Sequence, residues 1–260
     1  MMNKEVVQQQ FGAAAAHYVT SKIHAKGASL TRLVELVKPQ SDWHALDIAT
    51  GAGHTALAFA PHVAHVTATD ITPEMLEKTA ALADDRNVKN LDVQYADAED
   101  LPFEDSRFDL VTCRIAPHHF LDVAKFVLEA ARVLKPAGAL AVADNIVPAG
   151  KVGEYVNMFE KLRDPSHGRC LHMSEWTAAY ESAGLTVEHV ETLTKTMAFE
   201  GWARRMTNDE VLVKRLHDLL INADEAVQQF LQPDEENGNV TFQLQEGVFI
   251  GRKSIVQTAK

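Results

Sequence analysis

Several things are scarce in this sequence, and each scarcity excludes something. The only two cysteines, Cys113 and Cys170, stand far apart in 260 residues. They are too few for a disulfide scaffold, match no metal-ligand spacing, and point to a reducing compartment. No apolar run reaches the length of a membrane span, and the start MMNKEVVQQQ has no apolar core of a secretion signal. A cytoplasmic protein without membrane insertion is therefore expected. Positive charge is also short: 25 Lys and Arg stand against 36 Asp and Glu, a formal net charge of −11. That balance argues against nucleic acid as a partner and against docking on anionic lipid. With no low-complexity stretch, linker or internal repeat, the expectation is one domain over 1–260, long enough for a sizeable core.

What the chain does have is organised around Trp43–Thr55, WHALDIATGAGHT. A buried strand through Ala45, Leu46, Ile48 and Ala49 runs into a glycine turn that opens a helix. Gly51 and Gly53 permit backbone angles and close approach that a Cβ forbids, and the helix start offers free N–H groups to a ligand. Gly51-x-Gly53-x-x-Ala56 fits a dinucleotide fingerprint, although a tight strand–helix turn alone would read the same way. Asp47 at the strand end would repel a pyrophosphate but suits a ligand carrying an ammonium and a sulfonium. S-adenosylmethionine (SAM) is the better fit, with a nicotinamide-dependent dehydrogenase as the alternative.

Alternation of strand and helix continues from there. Val63–Thr69 is β-rich and ends in Asp70, 70 − 47 = 23 residues beyond Asp47. A carboxylate near that distance can accept both hydroxyls of a ribose; the competing reading is a plain acidic cap ahead of Thr72-Pro73-Glu74. A helix over 73–84, a strand Leu91–Tyr95 and the loop Asp97-Ala98 follow, with Asp97 a candidate for an adenine amino group and Glu99 and Asp100 read as solvated charges. Phe108–Arg114 is a fourth buried strand, delivering Ile115–Phe120 where ligands of parallel sheets bind. Asp122–Leu134 is an amphipathic helix, Lys135–Gly138 a stop, and Ala139–Val147 a fifth strand. The pattern is α/β and doubly wound.

The ends are plainer. Residues 3–38 have helical spacing, an arm or a lid in which Phe11 and Tyr18 cover the cofactor. Residues 150–168, 174–184 and much of 197–232 read as cover helices, Gly184–Lys195 as a strand, and Val240–Arg252 as a last strand or strand pair.

The segments LDIATGAGHTA, VTATDITPEMLEKTA, VQYADAEDLPFEDSRFDLVTCRIAPHHF and EAARVLKPAGALAVAD, in this order across about residues 40–147, resemble the class I SAM-dependent methyltransferases, and within them the ubiquinone/menaquinone C-methyltransferase-like small-molecule group. The resemblance implies a Rossmann-like, mostly parallel seven-stranded sheet in the order 3-2-1-4-5-7-6 with strand 7 antiparallel. It divides the chain into an arm or lid (1–39), a SAM-binding core (40–147) and substrate-cover helices with the last strands (148–260). It also implies that Asp47, Thr50, Gly51 and Gly53 hold the methionine end, Asp70 the ribose, Ile71 and Met75 the adenine faces and Asp97-Ala98 the adenine edge, with Arg114 beside the methyl group. The [DN]-P-P-[YF] signature of nucleic-acid amino methyltransferases is replaced by Ala116-Pro117-His118-His119.

Methyl transfer needs alignment, desolvation and, for a neutral nucleophile, a base. His119 is the first candidate and His118 the second, although adjacent histidines point in different directions and only one is expected to face the pocket. Arg163, His167 and Arg169 are candidates for an anionic substrate, against the plain reading of a charged helix end. Trp176 and Trp202 read as packing before they read as an aromatic floor. No His, Asp or Glu pair near the strand ends has i,i+4 ligand spacing, so no metal is expected. The expected acceptor is a small molecule, aromatic or quinone-like; a non-catalytic SAM-binding protein is a further alternative, and oligomeric state is left open.

Overall fold

The computed structural model describes residues 4–19 and 27–255, with side chains of the first helix described as far as residue 12. Its eight strands form one sheet. The centre is β1 (His44–Ile48), flanked in parallel by β2 (His65–Asp70) and β4 (Phe108–Arg114). Outside β2 lies β3 (Leu91–Tyr95), and outside β4 lies β5 (Leu134–Ile146), both parallel. β8 (Asn239–Lys253) runs antiparallel beside β5, and β6 (Leu185–Ala198) closes the edge antiparallel to β8. The order β3-β2-β1-β4-β5-β8-β6 is the expected one with the penultimate strand reversed. One short strand, β7 (Asp234–Glu236), was not anticipated and pairs with the start of β8.

Burial follows the topology. β4, covered on both faces, is buried almost throughout, its polar Thr112 and Arg114 included. β6 at the edge alternates between half-buried and exposed residues. The helices α2 (Ala28–Val37) and α3 (His54–Phe59) pack Leu33, Val37, Ala56 and Phe59 against Val66, Ala68 and Leu110 on one face. On the other face α5 (Val123–Val133) and α7 (Met173–Ser182) pack Phe126, Val127 and Trp176 against Leu46, Val111 and Phe249. α4 (Pro73–Asp85) joins β2 to β3, and α1 (Lys4–Val19) lies beside it, bringing Gly12 close to the Glu74 carboxylate.

The stop anticipated at Lys135–Gly138 ends the helix but not the extended chain. Backbone from Leu134 is already strand, Ala137 takes a positive φ of 62°, and the register with β4 shifts between Phe108 and Leu110. A bulge thus absorbs the four residues that sequence reading assigns to a loop.

The β6–β8 ribbon runs past the carboxyl end of β5: β5 pairs with β8 from Gln245 onward, whereas β6 continues to Thr241. That overhang carries Met197, Val240, Phe242 and Leu244. They form a separate cluster with α6 (Lys151–Arg163), α8 (Phe199–Ala203), α9 (Glu210–Ile221) and α10 (Glu225–Leu231), centred on Phe159, Trp202 and Leu216. The cover is thereby held beyond the end of the sheet where a parallel arrangement binds ligands.

Candidate active site

Loops leaving β1, β2, β3 and β4 line a cleft of about 980 Å³, open mouth included. Thr50, Gly51, Asp70, Ile71, Met75, Asp97, Ala98, Arg114 and His119 all border it. Lys4, Val7 and Phe11 from α1 cover it. Of the proposed lid pair, Phe11 is in place, and the Tyr18 side chain lies outside the described residues.

The turn after β1 is built by backbone constraint. Gly51 has φ 56° and Gly53 φ 84°, a region that disfavours any Cβ. A Cβ on Gly53 would stand 2.7 Å from Thr79 Cγ2, while one on Gly51 would meet nothing within 4 Å. The two glycines therefore serve different ends: Gly51 borders the cleft, and Gly53 lets α3 approach α4. Ala49 at φ 51° and Ile115 at φ 54°, just past β1 and β4, also border the cleft. A β-branched residue at positive φ is a strained one, and such strain collects at functional sites.

Asp47 does not meet the cleft. One carboxylate oxygen accepts from Thr50 Oγ1 at 2.6 Å and from Ala56 N at 3.1 Å, the other from Thr112 Oγ1 at 2.7 Å. The expectation of direct contact with an ammonium is corrected accordingly: the carboxylate is consumed inside the turn and braces it. Burial pushes its pKa up to about 6 against these hydrogen bonds and the charge of Arg114. Gly53 likewise lies behind the cleft.

Asp70 does reach it. Its carboxylate accepts Gly51 N and Thr72 N, both at 2.9 Å, one on each oxygen. The Thr72 side chain and the Ile71 backbone also bond it, and burial raises its pKa against all of these. Thr79 Oγ1 donates to the Gly51 carbonyl at 2.8 Å, closing the turn from the other side. At the β3 end, Lys4 Nζ donates to Asp97 Oδ2 and pairs with Glu99 at 3.1 Å. Arg114 is buried, with Nε donating to Thr55 Oγ1 at 3.2 Å, and burial lowers its pKa.

A second cavity, about 500 Å³ with its open mouth included, adjoins the first and shares Phe11, Ile115 and His119 with it. His118, Asn145, Glu160, Arg163, Asp164, Lys195 and Trp202 are among its other lining residues. His119 Nδ1 is 3.0 Å from the Ser166 carbonyl. A carbonyl only accepts, so Nδ1 carries the proton and Nε2 keeps a lone pair. Burial, then the adjacent His118, lowers the His119 pKa to about 3. His118 behaves oppositely: burial lowers its pKa, but Asp144 Oδ1 at 2.6 Å from Nδ1 raises it further. The two rings lie 4.2 Å apart, centroid to centroid. Only His119 borders the first cleft, while both border the second.

The three proposed anion-binding residues are not brought together. Arg163 lines the second cavity, with Nη2 on Glu160 Oε2 at 2.8 Å and its guanidinium 4.6 Å from the Trp202 ring centre. His167 borders neither cavity; its Nε2 is 3.0 Å from Asn157 Oδ1, which also accepts Cys170 N. Burial, ahead of the neighbouring cations, holds its pKa down to about 2. Arg169 lies on the outer surface, paired with Glu175 at 2.7 Å. Sequence position grouped these three because they share one connection, but the connection turns, and their side chains part. Trp176 is core, stacked on Phe249. Among the described residues no group of three or more His, Cys, Asp or Glu is arranged to hold a metal ion.

Some contributors escaped sequence reading. Thr112 gives no motif signal, and Lys4 sits on an arm whose docking no local pattern specifies. The Glu160–Arg163 spacing, i,i+3 on one helix, was a visible signal.

The geometry agrees with what known proteins show. A family model described as a methyltransferase domain matches residues 46–142. The uncharacterized methyltransferase YcgJ of Bacillus subtilis is 37% identical over 230 residues, 88% of this chain and 91% of that protein. The chain belongs to the class I SAM-dependent methyltransferases. The crystal structure of YcgJ matches with a TM-score of 0.83 at 35% identity, covering 87% of this methyltransferase and 98% of that chain. The ubiquinone/menaquinone biosynthesis C-methyltransferase UbiE of Zymomonas mobilis is 38% identical over 105 residues, 40% of this chain and 43% of its own. The dehydrogenase alternative falls with this assignment. No helix among the described residues is long and apolar enough to cross a membrane.

The cleft fits SAM on its own chemistry. It offers an open backbone position at Gly51, a bordering carboxylate at Asp70, and apolar walls at Ile71 and Met75.

Proposed function

We propose that this methyltransferase acts on a small molecule that lies in the second cavity and meets the cofactor at His119. One observation carries the proposal: His119 is the ionisable residue bordering both cavities, and its partner, the Ser166 carbonyl, leaves Nε2 as a neutral acceptor. SAM supplies an activated methyl group on a cationic sulfur. The chain's part is alignment, exclusion of water and reception of a proton.

On this reading Thr50 and Gly51 border the amino-acid end of the cofactor, Asp70 accepts the ribose hydroxyls, Ile71 and Met75 pack on adenine, and Asp97-Ala98 borders its edge. Arg114 borders the cleft at the end of β4. Helix α1 covers the donor through Lys4, Val7 and Phe11. His119 Nε2 orients the acceptor or takes its proton, and its low pKa keeps that lone pair available at neutral pH. Ser166 holds the ring, and Asp164 holds Ser166 by accepting its N–H and hydroxyl. Nucleic acid is not a substrate on this reading, since the net charge is −11.

The test has two stages. Thermal shift with SAM, S-adenosylhomocysteine (SAH) and NAD(H) should show stabilisation by the first two only. A panel of phenols, quinols and amines with labelled methyl donor should then give transfer that His119→Ala abolishes. Transfer undiminished in that variant would refute the assigned role.

A further inference from the structure

The second cavity holds an unusual concentration of incomplete hydrogen bonding. Among the described residues, five buried side-chain polar atoms have no hydrogen-bond partner, and four of them belong to residues lining this cavity. They are Glu160 Oε1, Asp164 Oδ2, Arg163 Nε and Trp202 Nε1. The four residues are 3%, 1%, 9% and 2% exposed. The fifth atom, Trp176 Nε1, lies elsewhere, in the core cluster on α7. Folding alone disfavours such atoms, and a native structure that keeps them has a use for them.

Their chemistry is balanced. Two are carboxylate oxygens, which accept; two are N–H groups, which donate. The cations of the cavity wall do not form an anion trap. Arg163 already serves Glu160, Lys195 serves Glu246 at 2.6 Å and Asn145 at 3.1 Å, and Arg205, also on the wall, is itself engaged. A plain anion would leave both carboxylate oxygens unmatched, and an apolar ring would leave all four atoms so.

We infer that the second cavity takes the head group of an acceptor that offers hydrogen-bond donors and acceptors together: a small amino or hydroxy compound also carrying a carbonyl, amide or carboxylate. Glu160 and Asp164 receive its donors, Arg163 and Trp202 its acceptors, and the methylated atom lies toward His119. This rests on the methyltransferase reading above and narrows its acceptor away from an apolar quinol.

The test uses SAH-loaded, ¹⁵N-labelled protein and matched probes: 4-hydroxyphenylglycinamide against 4-ethylphenol, with menadiol as the quinol. The Trp202 indole N–H signal is identified by its loss in Trp202→Phe. The amide should bind about tenfold or more tightly than 4-ethylphenol and shift that signal, since a buried charged hydrogen bond is involved. Glu160→Gln and Trp202→Phe should each erase the preference without altering SAH affinity. Equal or tighter binding of 4-ethylphenol or menadiol overturns the inference. So does amide binding that leaves the Trp202 signal unmoved or is insensitive to Glu160→Gln. Binding by no probe, leaving solvent alone in the cavity, overturns it as well. Failure of the underlying reading would appear earlier and separately, as no uptake of SAH.

Discussion

The two cavities that meet at His119 are built by opposite means. Around the first cleft, the key polar groups are satisfied inside the protein: Asp47 by Thr50, Ala56 and Thr112, Asp70 by Gly51 and Thr72. Around the second, residues from α6, β5, β6, β8 and the β4–α5 loop converge across long sequence separations, and four polar atoms stay unmatched. The difference teaches that the donor side is pre-shaped by its own hydrogen bonds. The acceptor side is shaped by packing and completed by what it binds.

The largest expected effect probes the junction. His119→Ala should lower turnover by about 10²–10⁴-fold, the usual range for a lost general base, while SAH affinity measured by calorimetry changes only a few-fold. An equal loss in both would mean that His119 belongs to the donor side alone.

Next come the two glycines, which should separate stability from binding. Gly53→Ala places a Cβ 2.7 Å from Thr79 Cγ2 at positive φ. It should cost about 2–4 kcal/mol in chemical denaturation. Gly51→Ala has free space and only the φ penalty, about 1–2 kcal/mol, but its methyl group stands in the cleft and should weaken SAH binding by about tenfold or more. If both variants lost stability alike, Gly51 would not be a binding position.

A smaller effect lies in pH. His119 and His167 have folded-state pKa values of about 3 and about 2, below the ordinary 6.5 of an unfolded histidine. Between those limits the unfolded chain holds protons that the folded chain does not, so stability falls as pH drops from 7. Asp47 works the other way: its pKa, raised to about 6, lets the folded state hold a proton between about 4 and 6, offsetting part of the loss. A plot of Tm against pH between 7 and 5 should slope downward toward acid, and His167→Gln should flatten it. An unchanged slope would show that His167 is not held neutral.

Smallest of all, Arg169→Ala should stay within about 0.5 kcal/mol of the parent protein in stability, with unchanged transfer activity. Its ion pair with Glu175 is exposed. A marked loss of activity would return Arg169 to the acceptor site.

Legibility in the sequence follows the same division. The strands Leu91–Tyr95 and Phe108–Arg114 have the bounds that the sequence predicts, because short β-rich runs bounded by polar turns mark a strand whether it is largely exposed, as β3 is, or buried, as β4 is. Thr50, Gly51, Asp70, Ile71, Met75, Asp97, Ala98 and Arg114, expected at the cofactor, all border the cleft; each lies at or just after a strand end, or, for Met75, in the first turn of the helix that follows one, and local order dictates that place. Asp47 was misjudged because a carboxylate at a strand end looks the same whether it faces ligand or turn. Only Thr112, 65 residues away on the next strand, decides the matter.

By itself, then, the order of amino acids determined the alternation of strands and helices, the glycine turn and the family, since these depend on neighbours a few residues apart. Tertiary structure alone decided that Asp47 braces the turn, that Arg163 is buried beside the second cavity while Arg169 stays on the surface, and that four polar atoms share one cavity unmatched. The physical reason is that hydrogen-bond satisfaction inside a protein is settled between segments, and no single segment carries a record of its partner.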